Sequence, residues 1–219
     1  MTDLSSTSLS DIKKRLLNGT PLIVYDFDGR EEEADMVFYA GSMTWKSVNR
    51  LRKDAGGLIC YVTGREEASK IGLNFLTDEW KTHPTYGNLI KRPSYGDYPS
   101  FTMWINHISV STGISDSDRA NTILEMHNLL TDHIENKVEY FQKNFYAPGH
   151  VPVLASRGLN ERKGHTELVS HLAELVGLPR SMVIAEMLGD GKSLKRASAE
   201  EYATKNKLIF LEGKDIVRA

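Results

Sequence analysis

The chain reads as an α/β protein: a single-domain sandwich built on a mixed β-sheet, without the regular alternation of a doubly wound fold. Short apolar, β-branched runs at residues 22–25, 57–63, 151–155, 182–188 and 208–211 have the length of strands. Between them lie stretches with apolar residues at helical spacing, clearest at Leu168, Leu172, Leu175 and Val176. The order of these segments is mixed, and 219 residues with 40% hydrophobic content suffice for one sizeable core.

The elements follow in order. Residues 1–9 are expected to fray, and Ser10 is placed to cap a helix carrying Ile12, Leu16 and Leu17 that Asn18-Gly19 ends. Residues 22–25 predict a strand and 36–40 its return partner, which makes the segment between them a hairpin tip. A helix is expected at 44–53, a strand at 57–63 and a shorter helix at 66–71. Residues 77–100 mix Pro84, Pro93 and Pro99 with several Gly and Tyr, which suits an irregular surface excursion. Residues 101–110 read as a central strand and 118–130 as a helix, with Ile134, Val138, Phe141 and Phe145 marking another helical stretch. Pro148-Gly149 predicts a turn before the strand at 151–155. Thr166 opens the clearest helix, which Gly177 and Pro179 end; a strand at 182–188 is interrupted by Glu186. Ser198 and Glu201 form a capping-box pattern before a last strand at 208–211.

A net charge of −2 gives no general attraction to nucleic acid or to an anionic membrane. The apolar runs fall short of the ~20 residues of a membrane span, and the N-terminus lacks the apolar core of a signal peptide, so the expected location is cytoplasmic. The lone Cys60 excludes an internal disulfide and fits a reducing compartment.

Chemistry concentrates in two places. Arg30-Glu31-Glu32-Glu33-Ala34-Asp35 packs four carboxylates beside one arginine directly after an apolar strand, which predicts a mobile loop that awaits a cation. The competing reading is a solvated acidic surface. Arg162-Lys163-Gly164-His165-Thr166 opens a helix, where unpaired N–H groups favour an anion; simple capping is the alternative. His150 sits where an acid or base could act, and Glu186 is a costly carboxylate in an apolar strand unless it is paired or used. Cys60 reads as a small buried hydrophobe. His83, His107, His127, His133 and His171 share no spacing with the acids and receive no role.

Six separated segments then carry a resemblance. Residues 25–35 (Y-D-F-D-G-R-E-E-E-A-D), 54–60 (D-A-G-G-L-I-C), 112–120 (T-G-I-S-D-S-D-R-A), 148–151 (P-G-H-V), 162–167 (R-K-G-H-T-E) and 185–187 (A-E-M) resemble, in order, 3,4-dihydroxy-2-butanone 4-phosphate synthases. Residues 54–60 are most similar to archaeal members of that family. The resemblance implies a homodimeric lyase of riboflavin biosynthesis that converts D-ribulose 5-phosphate into L-3,4-dihydroxy-2-butanone 4-phosphate and formate. It implies Mg2+ or Mn2+, two ions per site, no organic cofactor, and a route through a metal-stabilised enediolate, dehydration, skeletal rearrangement and formate loss. Carried over by position, Glu31 and His165 would bind metal. Arg30, Glu31, Asp35, Thr112, Arg162, Lys163, Gly164, His165, Thr166 and Glu186 would contact the sugar phosphate. Glu33, His150 and Glu186 would move protons, with Asp26 and Cys60 near the reaction. The chain departs from the family pattern at Glu32, usually Asn; at Ala34, usually Gly; at Phe27, usually Asp; and at Ala185, often Cys. Glu32 and Ala34 are expected to alter the lid or its metal affinity. The chain is too short for the second enzyme fused to many bacterial relatives. Two other readings compete: a metal-dependent sugar-phosphate isomerase or aldolase, and a non-catalytic nucleotide- or RNA-binding module of related fold.

Overall fold

Alternating apolar residues along adjacent strands create two faces that must both be covered, and helices cover them. The computed structural model describes residues 8–219. Strands β1 (Leu22–Tyr25), β2 (Ala34–Tyr39), β3 (Cys60–Gly64), β4 (Phe101–His107), β5 (Phe145–Ser156), β6 (Ser181–Glu186) and β7 (Phe210–Glu212) form one sheet in the order β4-β5-β3-β6-β2-β1-β7. The β1–β7 and β3–β5 pairs are parallel and the other neighbours antiparallel, so the sheet is mixed, as the sequence predicts.

Met36, Phe38, Tyr61, Val183 and Ala185 project to one face, where α2 (Trp45–Asp54), α5 (Asp116–Thr131) and α8 (Arg196–Lys205) bury Val48, Leu51, Ile123, Met126, Ala199 and Ala203. Val24, Val37, Cys60, Val62 and Ile184 project to the other. There α1 (Leu9–Leu17), α7 (His165–Leu175) and α9 (Gly213–Arg218) contribute Ile12, Leu16, Leu168, Leu172 and Ile216. Period two places Asp35 on the same face as Val37, and Glu186 on the same face as Ile184. Both carboxylates therefore face the α7 layer, and they are direct cross-strand partners.

The hairpin of residues 22–25 with its return strand is present, with Tyr25 opposite Ala34. Other expectations change. Ser8, not Ser10, caps α1 by accepting the Asp11 N–H at 3.0 Å, so Leu9 is helical; the fraying expected for residues 1–7 lies outside the described residues. Residues 101–107 form an edge strand instead of a central one, paired on one side only. Pro148-Gly149 does not reverse the chain: Ile105 pairs with Val151 and Asn106 with Tyr146, so residues 147–150 bulge out of a continuous β5. A bulge tolerates a proline that has no N–H for the ladder. Phe145 belongs to β5, and α6 (Lys137–Asn144) stops before it. The helix α8 starts at Arg196 with Lys195 at its N-cap and no side-chain capping bond, which puts Ser198 inside the helix. The excursion is mostly irregular, containing α4 (Leu76–Glu79), which follows α3 (Arg65–Lys70), and a short 3-10 turn at Tyr86–Leu89. Among the described residues, no helix is long and apolar enough to cross a membrane.

Candidate active site

At the ends of β2, β3 and β6, beneath the N-terminus of α7, lies a cavity of about 260 Å³. Glu31, Glu33, Asp35, Cys60, Arg162, His165, Thr166 and Glu186 all line it, so one space gathers most of the residues that the sequence singles out.

The acidic loop is tethered through a buried carboxylate. Asp26, 1% exposed, accepts the backbone N–H groups of Glu31 at 3.2 Å and Glu33 at 3.0 Å, and Arg30 Nη1 at 3.1 Å. Arg30 also pairs with Glu31 and, through Nη2 at 3.0 Å, with Asp97, while its guanidinium lies 4.7 Å from the Tyr95 ring centroid. Mutual repulsion among the carboxylates is the premise of a mobile loop; the buried Asp26 carboxylate, by collecting backbone donors, tethers the loop against that repulsion. Glu32 adopts a φ of 59°, the left-handed region that favours Asn or Gly, and accepts the Gly29 N–H at 2.8 Å. Ala34 is fully buried in β2, so its change from glycine touches the strand and not the loop.

Asp26, Glu31 and His165 each place a ligand atom within 4.8 Å of the others. Asp26 already accepts three hydrogen bonds, which makes Glu31 and His165 the better metal donors. His165 Nε2 lies 3.2 Å from the Val24 carbonyl oxygen, which can only accept, so Nε2 carries a hydrogen and, in the neutral ring, Nδ1 offers its lone pair to the cavity. Nδ1 lies 3.9 Å from Glu31 and 3.7 Å from Asp35. The Glu31 carboxylate and the imidazole nitrogen, with the Asp35 oxygens adjoining, form a donor set that fits a divalent cation such as Mg2+ or Mn2+.

Burial pushes the Asp35 carboxyl up to about 7, with Glu186, Glu31 and Glu33 adding to the rise and His165 opposing it. An unfolded Asp titrates near 3.8, so between about pH 4 and 7 the unfolded chain is ionised where the folded one keeps its proton. Stability of the metal-free protein therefore falls as pH rises through that window. Melting temperatures in EDTA should decline with pH more steeply for the wild type than for Asp35→Asn; parallel curves would refute this. Burial also raises Glu33, and it raises the Cys60 thiol far above the ordinary range, with Asp35 adding to that rise, which favours the protonated thiol in the cavity wall.

Glu33 and Glu186 meet at a residue that no sequence pattern marks. Ser193 Oγ lies 2.6 Å from Glu33 and 2.8 Å from Glu186. A hydroxyl carries one hydrogen, so it donates to one carboxylate, and the second contact needs a proton brought by the other carboxyl.

Gly164, not Thr166, is the N-cap of α7, and Thr166 lies buried in the first turn. Glu167, 1% exposed, takes the Gly164 N–H at 3.3 Å and pairs with Arg162 Nη1 at 2.5 Å. A Cβ at Gly164 would lie 2.2 Å from Arg162 Nη1, so glycine lets the guanidinium pack against the helix start. Among the described residues Arg162 Nε has no hydrogen-bond partner, although it is buried. Lys163 is exposed and lines a separate groove with Glu167 and His171. Thr112 and His150 do not reach the cavity: both are exposed beside β4, where Asn106 bonds the Thr112 carbonyl and His150 Nδ1. Tyr95 and Asp97, from the irregular excursion, contribute where no sequence periodicity marks them.

A histidine and carboxylates arranged for a divalent cation, adjoining a buried arginine at a helix start, define a metal-assisted α/β enzyme for an anionic substrate. The family model for 3,4-dihydroxy-2-butanone 4-phosphate synthase matches residues 10–219, and the chain belongs to that family. It is 36% identical to the 3,4-dihydroxy-2-butanone 4-phosphate synthase of Methanosarcina mazei, covering 98% of this chain and 92% of the relative. Identity to the same enzyme of Methanothermobacter thermautotrophicus is 34%, over 96% and 95% of the two chains. A solved 3,4-dihydroxy-2-butanone 4-phosphate synthase in complex with two magnesium ions superposes with a TM-score of 0.74 at 25% identity, covering 96% of this chain and 95% of that one.

Proposed function

We propose that this chain, as one domain over residues 1–219, converts D-ribulose 5-phosphate into L-3,4-dihydroxy-2-butanone 4-phosphate and formate for riboflavin biosynthesis in the cytoplasm. The carrying observation is His165 Nδ1, turned toward Glu31 and Asp35, in a cavity that also holds Arg162. Glu31 and His165 would hold Mg2+ or Mn2+, two ions per site, by likeness to the magnesium-bound relative. The cation supplies Lewis-acid stabilisation of negative charge developing on substrate oxygens. The residues supply the rest. Asp35, whose carboxyl burial pushes up to about 7, can in its protonated form donate a hydrogen bond to a sugar oxygen that its charged form would repel. Arg162 and Thr166 face the cavity where the phosphate would sit, with Gly164 leaving room beside them, and Arg30 holds the loop. Glu33 and Glu186 are the proton-moving pair.

The protein acts as a homodimer in this reading. Thr112 and His150 lie exposed beside the edge strand with Met103, Ile108, Ile114 and Tyr146, an apolar patch that a second copy can cover while bringing both residues to the partner's cavity. Formate release from D-ribulose 5-phosphate is expected with Mg2+ and not with excess EDTA. In the same assay, Glu31→Gln and His150→Ala, each inactive alone, should recover about a quarter of wild-type activity when exchanged into mixed dimers, because half the dimers carry one intact site. Folded wild-type protein that releases no formate sinks the lyase, and consumption of the substrate without formate would favour an isomerase. Mixed dimers without recovery sink the shared site.

A further inference from the structure

We propose that Ser193 is a positioning residue that sets the cavity carboxylates Glu33 and Glu186 for their proton transfers. The assignment rests on the lyase reading above and adds to it a residue outside the segments that carry the family resemblance.

Ser193 is delivered by a built turn. The chain leaves β6 at Glu186, and Met187 N–H bonds the Ala34 carbonyl at 2.8 Å, keeping the exit beside β2. Gly189 N–H then bonds the Lys192 carbonyl at 2.8 Å, Gly191 takes a φ of 72°, and Leu194 N–H returns to the Met187 carbonyl at 2.7 Å. Leu188 and Ser193 are bridged across this turn, and Leu194 packs against the α2, α5 and α8 core. The serine is thus pinned on both sides while its hydroxyl stays within 2.6 Å of Glu33 and 2.8 Å of Glu186. Glu33 comes from the loop before β2 and Glu186 from the end of β6, so one hydroxyl ties the loop to the sheet at the two groups that must approach the sugar. A serine that only satisfied its own surface would need one such contact, and water could supply it. Two short contacts to carboxylates from different elements fix two rotamers at once, which is what near-attack geometry requires.

The isosteric pair Ser193→Thr and Ser193→Val separates the hydroxyl from its volume, since valine keeps the shape of threonine without the oxygen. Formate release from D-ribulose 5-phosphate at saturating Mg2+ is measured for wild type and for Ser193→Ala, Ser193→Thr and Ser193→Val, with each melting temperature. The expected result is kcat lowered about tenfold or more in the alanine and valine variants, KM changed by less than about threefold, and at least roughly half the activity kept by threonine. If alanine melts below the assay temperature, the threonine-to-valine ratio decides. Wild-type kcat in the alanine or valine variant overturns the assignment while the lyase reading stands, as does a loss carried wholly by KM. Wild-type protein that releases no formate overturns the lyase reading and this assignment together.

Discussion

His165→Ala is expected to lower metal-dependent formate release by roughly a thousandfold or more, corresponding to the several kcal/mol that Lewis-acid stabilisation contributes. The loss has a local cause. The Val24 carbonyl fixes the hydrogen on Nε2 and leaves Nδ1 as a ligand, and alanine offers nothing in its place. Glu31, beside Asp35 and Glu33, would then face the cation with carboxylate oxygens alone, still negative but without the imidazole that sets its position. Titration with Mn2+, followed by electron paramagnetic resonance, should show weakened binding in the variant along with its lost activity. Wild-type Mn2+ affinity in His165→Ala would remove this residue from the metal site whatever the activity.

Glu167→Ala should cost about 3–5 kcal/mol of folding stability, the range for removing one partner of a buried ion pair. Its carboxylate collects Arg162 Nη1 at 2.5 Å, the Arg157 N–H at 2.9 Å, Ser100 Oγ at 3.3 Å and the Gly164 N–H at 3.3 Å. Alanine leaves a buried guanidinium and two backbone donors without an acceptor. Urea denaturation reads the change directly. Adding Arg162→Met to Glu167→Ala should restore part of the stability, because the stranded charge goes with its partner; a double variant as unstable as the single one would show that the hydrogen bonds to Ser100, Arg157 and Gly164 dominate.

Much of this site is legible in the sequence, and for a physical reason. A carboxylate in an apolar strand is expensive, so Glu186 stands out, and a histidine next to glycine at a helix start does the same. Period two along β2 and β6 decides which face Asp35 and Glu186 share, and both segments read as strands from their apolar content. The state of the acidic loop is not legible, because sequence spacing does not reveal that the buried Asp26 gathers the Glu31 and Glu33 amides and the Arg30 guanidinium. Adjacency groups Asp35 with the loop, although it is a buried strand residue. Tyr95, Asp97 and Ser193 reach the site through an irregular excursion and a turn, where tertiary packing alone sets side-chain direction. The placement of residues 101–107 at the sheet edge escapes for a similar reason: apolar alternation specifies a buried face, and it says nothing of how many neighbours a strand has.

The pairing of Asp35 with Glu186 limits how this chain can vary in length over evolutionary time. Inserting or deleting one residue within β2 or β6 would turn a carboxylate from the cavity into the opposite apolar core, losing the site and burying an unpaired acid in the same event. The short turns away from the cavity are not bound by this register, whereas these two short strands accept substitution and almost no change in count.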